Sequence, residues 1–232
     1  HRLFGVGRAK GCLNGAAIHR AQLALPDGSI VRSVWGRYLP YDDPPVPQTG
    51  LLQRSRNGAR SWEPMRVFQD PSKRTVFVTK LKHLRDGRIL AIGAVADVPA
   101  KNSLSRHQLS ARQYPVLLVS KDQARTWSLP IRVVPSDQAK NWGGEEFDVA
   151  ELASGDLLCV YRRIDPASEK RNREVRWQGL LKKDGDGFVP RRVGPAPFPH
   201  SGHPTLLATR EGVVLHFATS GIHWTRDAGL TW

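Results

Sequence analysis

Sulfur is almost missing from this 232-residue chain, which has two cysteines, Cys12 and Cys159, and a single methionine. Two cysteines permit one bridge at most, and neither lies in a CxxC pair. A disulfide scaffold, a cysteine zinc site and a thioredoxin-type redox motif are thereby excluded. No run of about 18 apolar residues occurs, so no membrane-spanning helix is expected. No phosphate loop, nucleophile elbow or zinc motif is found either, and no cofactor is expected. Blocks of like charge are also lacking. The 35 Lys and Arg outnumber the 21 Asp and Glu to give a formal charge of +14, yet the cations are scattered along the chain, whereas nucleic-acid-binding arms concentrate them. An anionic small ligand or glycan therefore ranks ahead of nucleic acid as a partner, with a merely solvated basic surface as the alternative. Hydrophobic content of 40% with 24% charged residues fits a globular chain and argues against disorder. The chain opens His1-Arg2-Leu3 and its one methionine is internal, so the natural start is expected upstream.

Repetition is the main signal in what is present. An apolar run, a turn centred on glycine and a second apolar run recur at Leu23–Val31, Leu81–Leu90, Ala150–Leu158 and Leu206–Val214. The turn glycines Gly28, Gly87, Gly155 and Gly212 stand 59, 68 and 57 residues apart. Asp-Gly and its relatives between β-formers signal a hairpin, because glycine tolerates the positive φ that such turns need. Four copies at a steady interval predict a repeat protein.

A second motif follows the glycine turn at a distance. Its copies are Ser55-Arg56-Asn57-Gly58-Ala59-Arg60-Ser61-Trp62, Ser120-Lys121-Asp122-Gln123-Ala124-Arg125-Thr126-Trp127 and Thr225-Arg226-Asp227-Ala228-Gly229-Leu230-Thr231-Trp232, with a worn fourth at Lys182–Phe188. A short Asx side chain there can accept backbone N–H bonds inside the turn while hydroxyls cap its neighbours. The motif resembles the Asp box, Ser/Thr-x-Asp-x-Gly-x-Thr-Trp, of the sialidase-like β-propellers. The last copy matches every defined position; Ala124 replaces the glycine in the second, and Asn57 replaces the aspartate in the first. In that family the boxes are structural and face away from the active site. The resemblance implies an all-β, six-bladed propeller, of which this chain would carry about four blades, near residues 18–70, 71–135, 146–195 and 203–232. Six blades at this interval need about 350–400 residues. A closed four-bladed ring, with Leu3-Phe4-Gly5-Val6 supplying the last strand, is the alternative.

Candidate chemistry lies opposite the boxes. In the resembling family a glutamate opens the inner strand of the third blade and an arginine closes the next strand after a Leu-x-x-Gly hairpin. Glu146 and Arg162 match that pattern, and a hairpin brings its two ends together. Glu145 competes with Glu146, since a one-residue register change swaps faces. A sialoside carries a carboxylate that a bidentate arginine can clamp. Sialidases use tyrosine as nucleophile, and a neighbouring glutamate takes the phenolic proton, the role the resemblance gives Glu146. The bland alternative is a strand-end ion pair. In the first blade, Asp43, or Asp42 beside it, stands where the family places its acid/base aspartate, after an arginine like Arg37; Asp-Asp-Pro-Pro is equally an everyday surface turn. Arg20 is displaced from the place of the family's first arginine, with His19 beside it, so sialic acid itself is in question. The third arginine and the tyrosine would belong to later blades, and neither Tyr114 nor Tyr161 fits that role. His200 and His203 could line the same mouth without metal spacing, and residues 96–115 form a long insertion over it.

The resemblance implies an exo-sialidase-type glycoside hydrolase acting on a terminal acidic sugar. Two alternatives are a non-catalytic propeller binding a glycan or protein partner and a uronate-processing enzyme on the same scaffold. Extracellular glycans are the usual substrates of such enzymes, which points to a secreted location.

Overall fold

The computed structural model of the chain describes residues 21–34, 51–66, 74–99, 113–134, 142–164, 174–198, 203–218 and 220–232. Within these residues the protein is built of strands alone, in four antiparallel sheets. The first sheet holds β1 (Gln22–Ala24), β2 (Ile30–Val34), β3 (Leu51–Ser55) and β4 (Glu63–Arg66) in that order. The second holds β5 (Arg74–His83), β6 (Ile89–Pro99), β7 (Gln113–Ser120) and β8 (Ile131–Arg132). The third holds β9 (Trp142–Glu151), β10 (Leu157–Ile164), β11 (Glu174–Asp184) and β12 (Gly187–Pro195). The fourth holds β13 (Thr205–Ala208), β14 (Val214–Ala218) and β15 (Gly221–Thr225). Each sheet is a plain meander.

Successive sheets pack face to face, and the period of two along each strand decides which residues go where. Val31 and Leu52 of the first sheet meet Val78, Ala91, Val116 and Leu118 of the second. The alternate residues Leu90, Ile92, Leu117 and Val119 turn the other way, against Phe147, Val149, Leu157 and Cys159 of the third sheet. Ala150, Leu158 and Val160 then meet Leu206 and Val214 of the fourth. Strands covered on both faces must be apolar throughout, which is why Ile89–Val95 and Leu157–Tyr161 read as unbroken hydrophobic runs. Cys159 sits inside this packing as a free thiol, and burial pushes its pKa up to about 12.

The four glycine turns are one structure repeated. In each, the glycine N–H donates to the carbonyl three residues back and the turn's first N–H donates to the carbonyl four residues ahead: Gly28 to Leu25 O with Leu25 to Ser29 O, Gly87 to Leu84 O with Leu84 to Arg88 O, and likewise around Gly155 and Gly212. The glycines have φ between 76° and 85°, as a type I turn followed by a left-handed residue requires.

The second hairpin motif is a staple built from hydroxyls and one carboxylate. Ser120 Oγ accepts from Ala124 N at 2.9 Å, and Asp122 accepts from Thr126 N at 2.8 Å and from Thr126 Oγ1 at 2.6 Å. Thr225, Asp227 and Thr231 repeat this pattern; Ser55 and Asn57 repeat its two backbone bonds, while the side-chain bond is reversed, with Asn57 Nδ2 donating to Ser61 Oγ at 2.7 Å. The hydrogen bonds hold the Asp227 carboxyl well below the usual carboxylate range. The segment 182–188 departs from it. It has no Ser or Thr two places before Asp184, so no hydroxyl can nucleate the wider loop, and Asp184 pairs with Gly187 across a two-residue turn instead.

Arginines then tie these turns to the neighbouring sheet. Arg54, buried on β3, donates to Gln123 O; Arg88 donates to Asp186 O at 2.6 Å; Arg192 donates to Ala228 O at 2.6 Å. Part of the cationic excess is thus spent between sheets. Trp232 does likewise, its Nε1 donating to Gln178 Oε1 at 2.8 Å.

All three staples place an alanine in left-handed geometry, Ala59 at φ 67°, Ala124 at φ 63° and Ala228 at φ 56°, the first two at the position that Gly229 fills in the last copy. Ala59 is exposed whereas Ala124 is packed in the core. Ala59→Gly is therefore expected to stabilise by about 1 kcal/mol, raising the thermal midpoint by ~2–4 °C. Ala124→Gly should gain less, because it also gives up a buried methyl.

Candidate functional site

Because the strands alternate in direction, both tight turns of a sheet emerge at one end. The connections between second and third strands emerge at the other. Glu146 and Arg162 lie toward this second end of the third sheet. The ladder between β9 and β10 shifts register between Tyr161 and Arg163, a bulge that re-aims side chains next to it. Arg162 Nη1 donates to Glu146 Oε2, and both side chains are partly open, at 25% and 17% exposure. His203 Nε2 stands 3.7 Å from the other carboxylate oxygen. Glu146 shares a strand face with Asp148, and Glu146 is the glutamate that meets Arg162.

One strand further out, Arg176 on β11 pairs in register with Arg162. It is buried, and its guanidinium has no hydrogen-bond partner among the described residues. Burial brings its pKa down to about 10, with Glu146 opposing that shift and Arg162 adding to it. Nearer the inner strands, the Asp148 carboxylate is 2.8 Å from Lys82 Nζ and 3.5 Å from Lys80 Nζ, and accepts from Leu206 N at 2.7 Å. Lys80 donates to Phe147 O and Pro204 O, Lys82 to Val149 O and Leu206 O. Burial lowers the Lys80 pKa to about 8 despite the attraction of Asp148. His216, buried on β14, faces the same interface; Thr205 O lies 3.4 Å from its Nδ1, and its Nε2 has no hydrogen-bond partner among the described residues.

Arg20, Arg37, Asp42, Asp43 and His200 lie outside the described residues, as do Asn102–His107 of the long insertion. Tyr161 is fully enclosed, donates to Val133 O at 3.0 Å, and has its pKa raised by burial, so it is a core residue and no nucleophile. Arg176, Lys80, Lys82, Asp148 and His216 were not evident from sequence. For Asp148 a signal existed: Glu146 and Asp148 stand two apart on an otherwise apolar strand, hence on one face. Arg176 left none, because its register with Arg162 depends on a connection whose length sequence does not translate into pairing.

No protein-family model and no curated protein matches this sequence. Solved structures do. A protein of unknown function from Dyadobacter fermentans superposes with a TM-score of 0.58 at 19% identity, over 84% of this chain and 55% of that one. An α-L-arabinofuranosidase from Lactobacillus brevis gives 0.53 at 13% identity, over 89% of this chain and 71% of that one. An intramolecular trans-sialidase from Ruminococcus gnavus gives 0.49 at 13%, over 95% and 45%, too loose a superposition to bear on the argument. The chain thus spans little more than half the length of the first of these, and at such identities the likeness is one of fold. Among the described residues no helix is long and apolar enough to cross a membrane.

Two outcomes test the buried charges. Asp148→Asn leaves two ammonium groups without a counter-charge and is expected to cost about 3 kcal/mol, a fall in thermal midpoint of ~6–12 °C. The lowered Lys80 value means the folded state sheds this proton before the unfolded chain, whose lysine titrates near 10.5. Lys80 therefore contributes stability that is absent below about pH 8 and grows as pH rises toward about 10.5. The difference in unfolding free energy between wild type and Lys80→Met should rise by up to ~3 kcal/mol across that window; denaturant titrations at each pH measure it. Taking the difference cancels Cys159, which acts in the opposite direction.

Proposed function

We propose that this chain is part of a glycoside hydrolase of exo-sialidase type that cleaves a terminal acidic sugar. The observation that carries the reading is the Glu146–Arg162 pair, partly open to solvent at the end of the third sheet away from the turns. An α-L-arabinofuranosidase with a similar fold supports the hydrolase class. In this reading Arg162 exchanges part of its contact with Glu146 for a bidentate grip on the substrate carboxylate. Glu146, freed on one oxygen, takes the proton of a tyrosine nucleophile supplied by a later blade. Asp43 protonates the leaving oxygen and then activates water, and Arg37 and Arg20 stand with it on the first blade; these three assignments rest on the resemblance alone.

The reading includes a six-bladed ring. Its support is the free face of the fourth sheet, where Leu207, Phe217, Ile222 and Trp224 are exposed. They lie on the side opposite the interface with the third sheet. A fifth sheet of the same kind would cover them, as each sheet covers the one before it. The complete coding sequence is then expected to hold two further repeats, with an arginine and a tyrosine at the open end.

Arg162→Lys, made in the complete protein, keeps the charge and loses the fork. For a carboxylate clamp it should lower kcat/KM on an acidic glycoside by ~100-fold or more. If Arg162 only pairs with Glu146, lysine should serve and cost under about 1 kcal/mol of stability. A folded variant with near wild-type turnover would remove Arg162 from the site. A complete protein that binds acidic glycans without hydrolysing them would favour the non-catalytic reading, and release from uronate polymers but not sialosides would favour a uronate enzyme.

A further inference from the structure

Between the third and fourth sheets the charges of the described residues do not balance. Lys80 and Lys82 share the single carboxylate of Asp148, and Arg162 holds Glu146. Arg176 is left as a cation that is 2% exposed, with Nε, Nη1 and Nη2 all lacking an acceptor among the described residues. A guanidinium carries five donors in a planar fork and cannot shed its charge at neutral pH. Burying it unpaired is among the costlier arrangements a protein can hold. Unsatisfied buried groups call for a partner that completes them. Glu146, already held by Arg162, acts on Arg176 only through space, and the facing wall adds no acceptor among the described residues: His216, fully buried there, has its Nε2 unpartnered as well, and the charge of Arg176 reaches it. Phe198 leans on that imidazole with ring centroids 4.7 Å apart and planes tilted by 38°, an apolar ring on its far side. Two enclosed nitrogen-bearing groups, a surplus of positive charge and an apolar back wall fit a small anion with oxygen acceptors.

We propose that Arg176 and His216 wall an anion subsite between the third and fourth sheets, adjoining the Glu146–Arg162 pair and taking a small oxyanion such as a carboxylate or sulfate. The open members of the pair, with His203 half exposed beside them, give the route in. The oxyanion can come as a free ion or as an acidic substituent of a glycan seated at the mouth. The proposal adjoins the hydrolase reading but concerns binding alone. A chain that binds at Arg176 and hydrolyses nothing would keep this inference and lose the proposed reaction.

The test uses the chain in low-salt Tris buffer, titrated with sodium sulfate, sodium glucuronate, N-acetylneuraminate and, as neutral control, glucose, at matched ionic strength. Thermal midpoint and the side-chain Nε–H resonance of Arg176 are followed, the resonance being identified by its loss in Arg176→Met. Saturable shifts with all three anions and none with glucose assign the subsite to free oxyanions. Shifts with the two acidic sugars but not sulfate assign it to a sugar-borne carboxylate. Either outcome supports the proposal, provided that Arg176→Met abolishes the midpoint shift and, without anion, melts no lower than wild type, since a methionine of similar length relieves an unpaired charge. A resonance unmoved by every anion, a midpoint shift that survives in Arg176→Met, or an Arg176→Met protein that fails to fold would each overturn it. Failure to fold would mean the guanidinium is already paired within the protein.

Discussion

Asp148 is the point on which the assembly of sheets depends. Hydrogen-bonded ladders hold each sheet together internally but stop at its inner strand, so something else must fix β5, β9 and β13 against one another. Lys80 and Lys82 do this as two rungs. Each ammonium group donates to a carbonyl of β9 and to one at or just before β13, and the two rungs are offset by two residues on every element they touch. Such cations are tolerated in a partly desolvated place because one carboxylate lies between them, itself satisfied by two backbone N–H groups. Apolar side chains could fill this space, but they could not set the register of one sheet on the next. Directional bonds can, at a cost in desolvation.

The same principle operates at the opposite end with different chemistry. There the staples expose carbonyls of left-handed residues, and arginines of the preceding sheet collect them. Between these two polar layers the contacts are apolar and non-directional. A repeat protein of this kind needs both. Hydrophobic burial supplies most of the driving force, and the polar ends decide how far each sheet turns and slides relative to its neighbour. The site at Glu146 and Arg162 sits where the lower polar layer opens to solvent. Its charges continue the buried set and are not an isolated surface pair, and Arg176 belongs to both.

Most of the fold was legible because its signals are local. Glycine at a left-handed position, Asx and hydroxyl residues at fixed offsets, and short apolar runs on either side of a turn all act within a few residues, and sequence displays them directly. The worn copy at 182–188 shows the limit: a Gly-rich stretch looked like the wider staple, but without a hydroxyl two places before the aspartate the chain closes a tighter turn. The meeting of Glu146 with Arg162 could be anticipated too, since one hairpin brings them together, although only the bulge in β9 decided between Glu145 and Glu146.

What sequence alone determined, then, is what one strand pair can encode: four hairpin repeats, the staples and the candidate carboxylate–guanidinium pair. Tertiary structure alone decided the contacts that cross between sheets. Lys80 and Pro204 are 124 residues apart, and no periodicity links a lysine on one inner strand to a carbonyl two sheets away. Arg176 looks in sequence like any cation of a basic chain. Its burial and its want of an acceptor among the described residues arise only when the third and fourth sheets close on each other, because burial and charge balance are properties of the assembled interface and not of any segment.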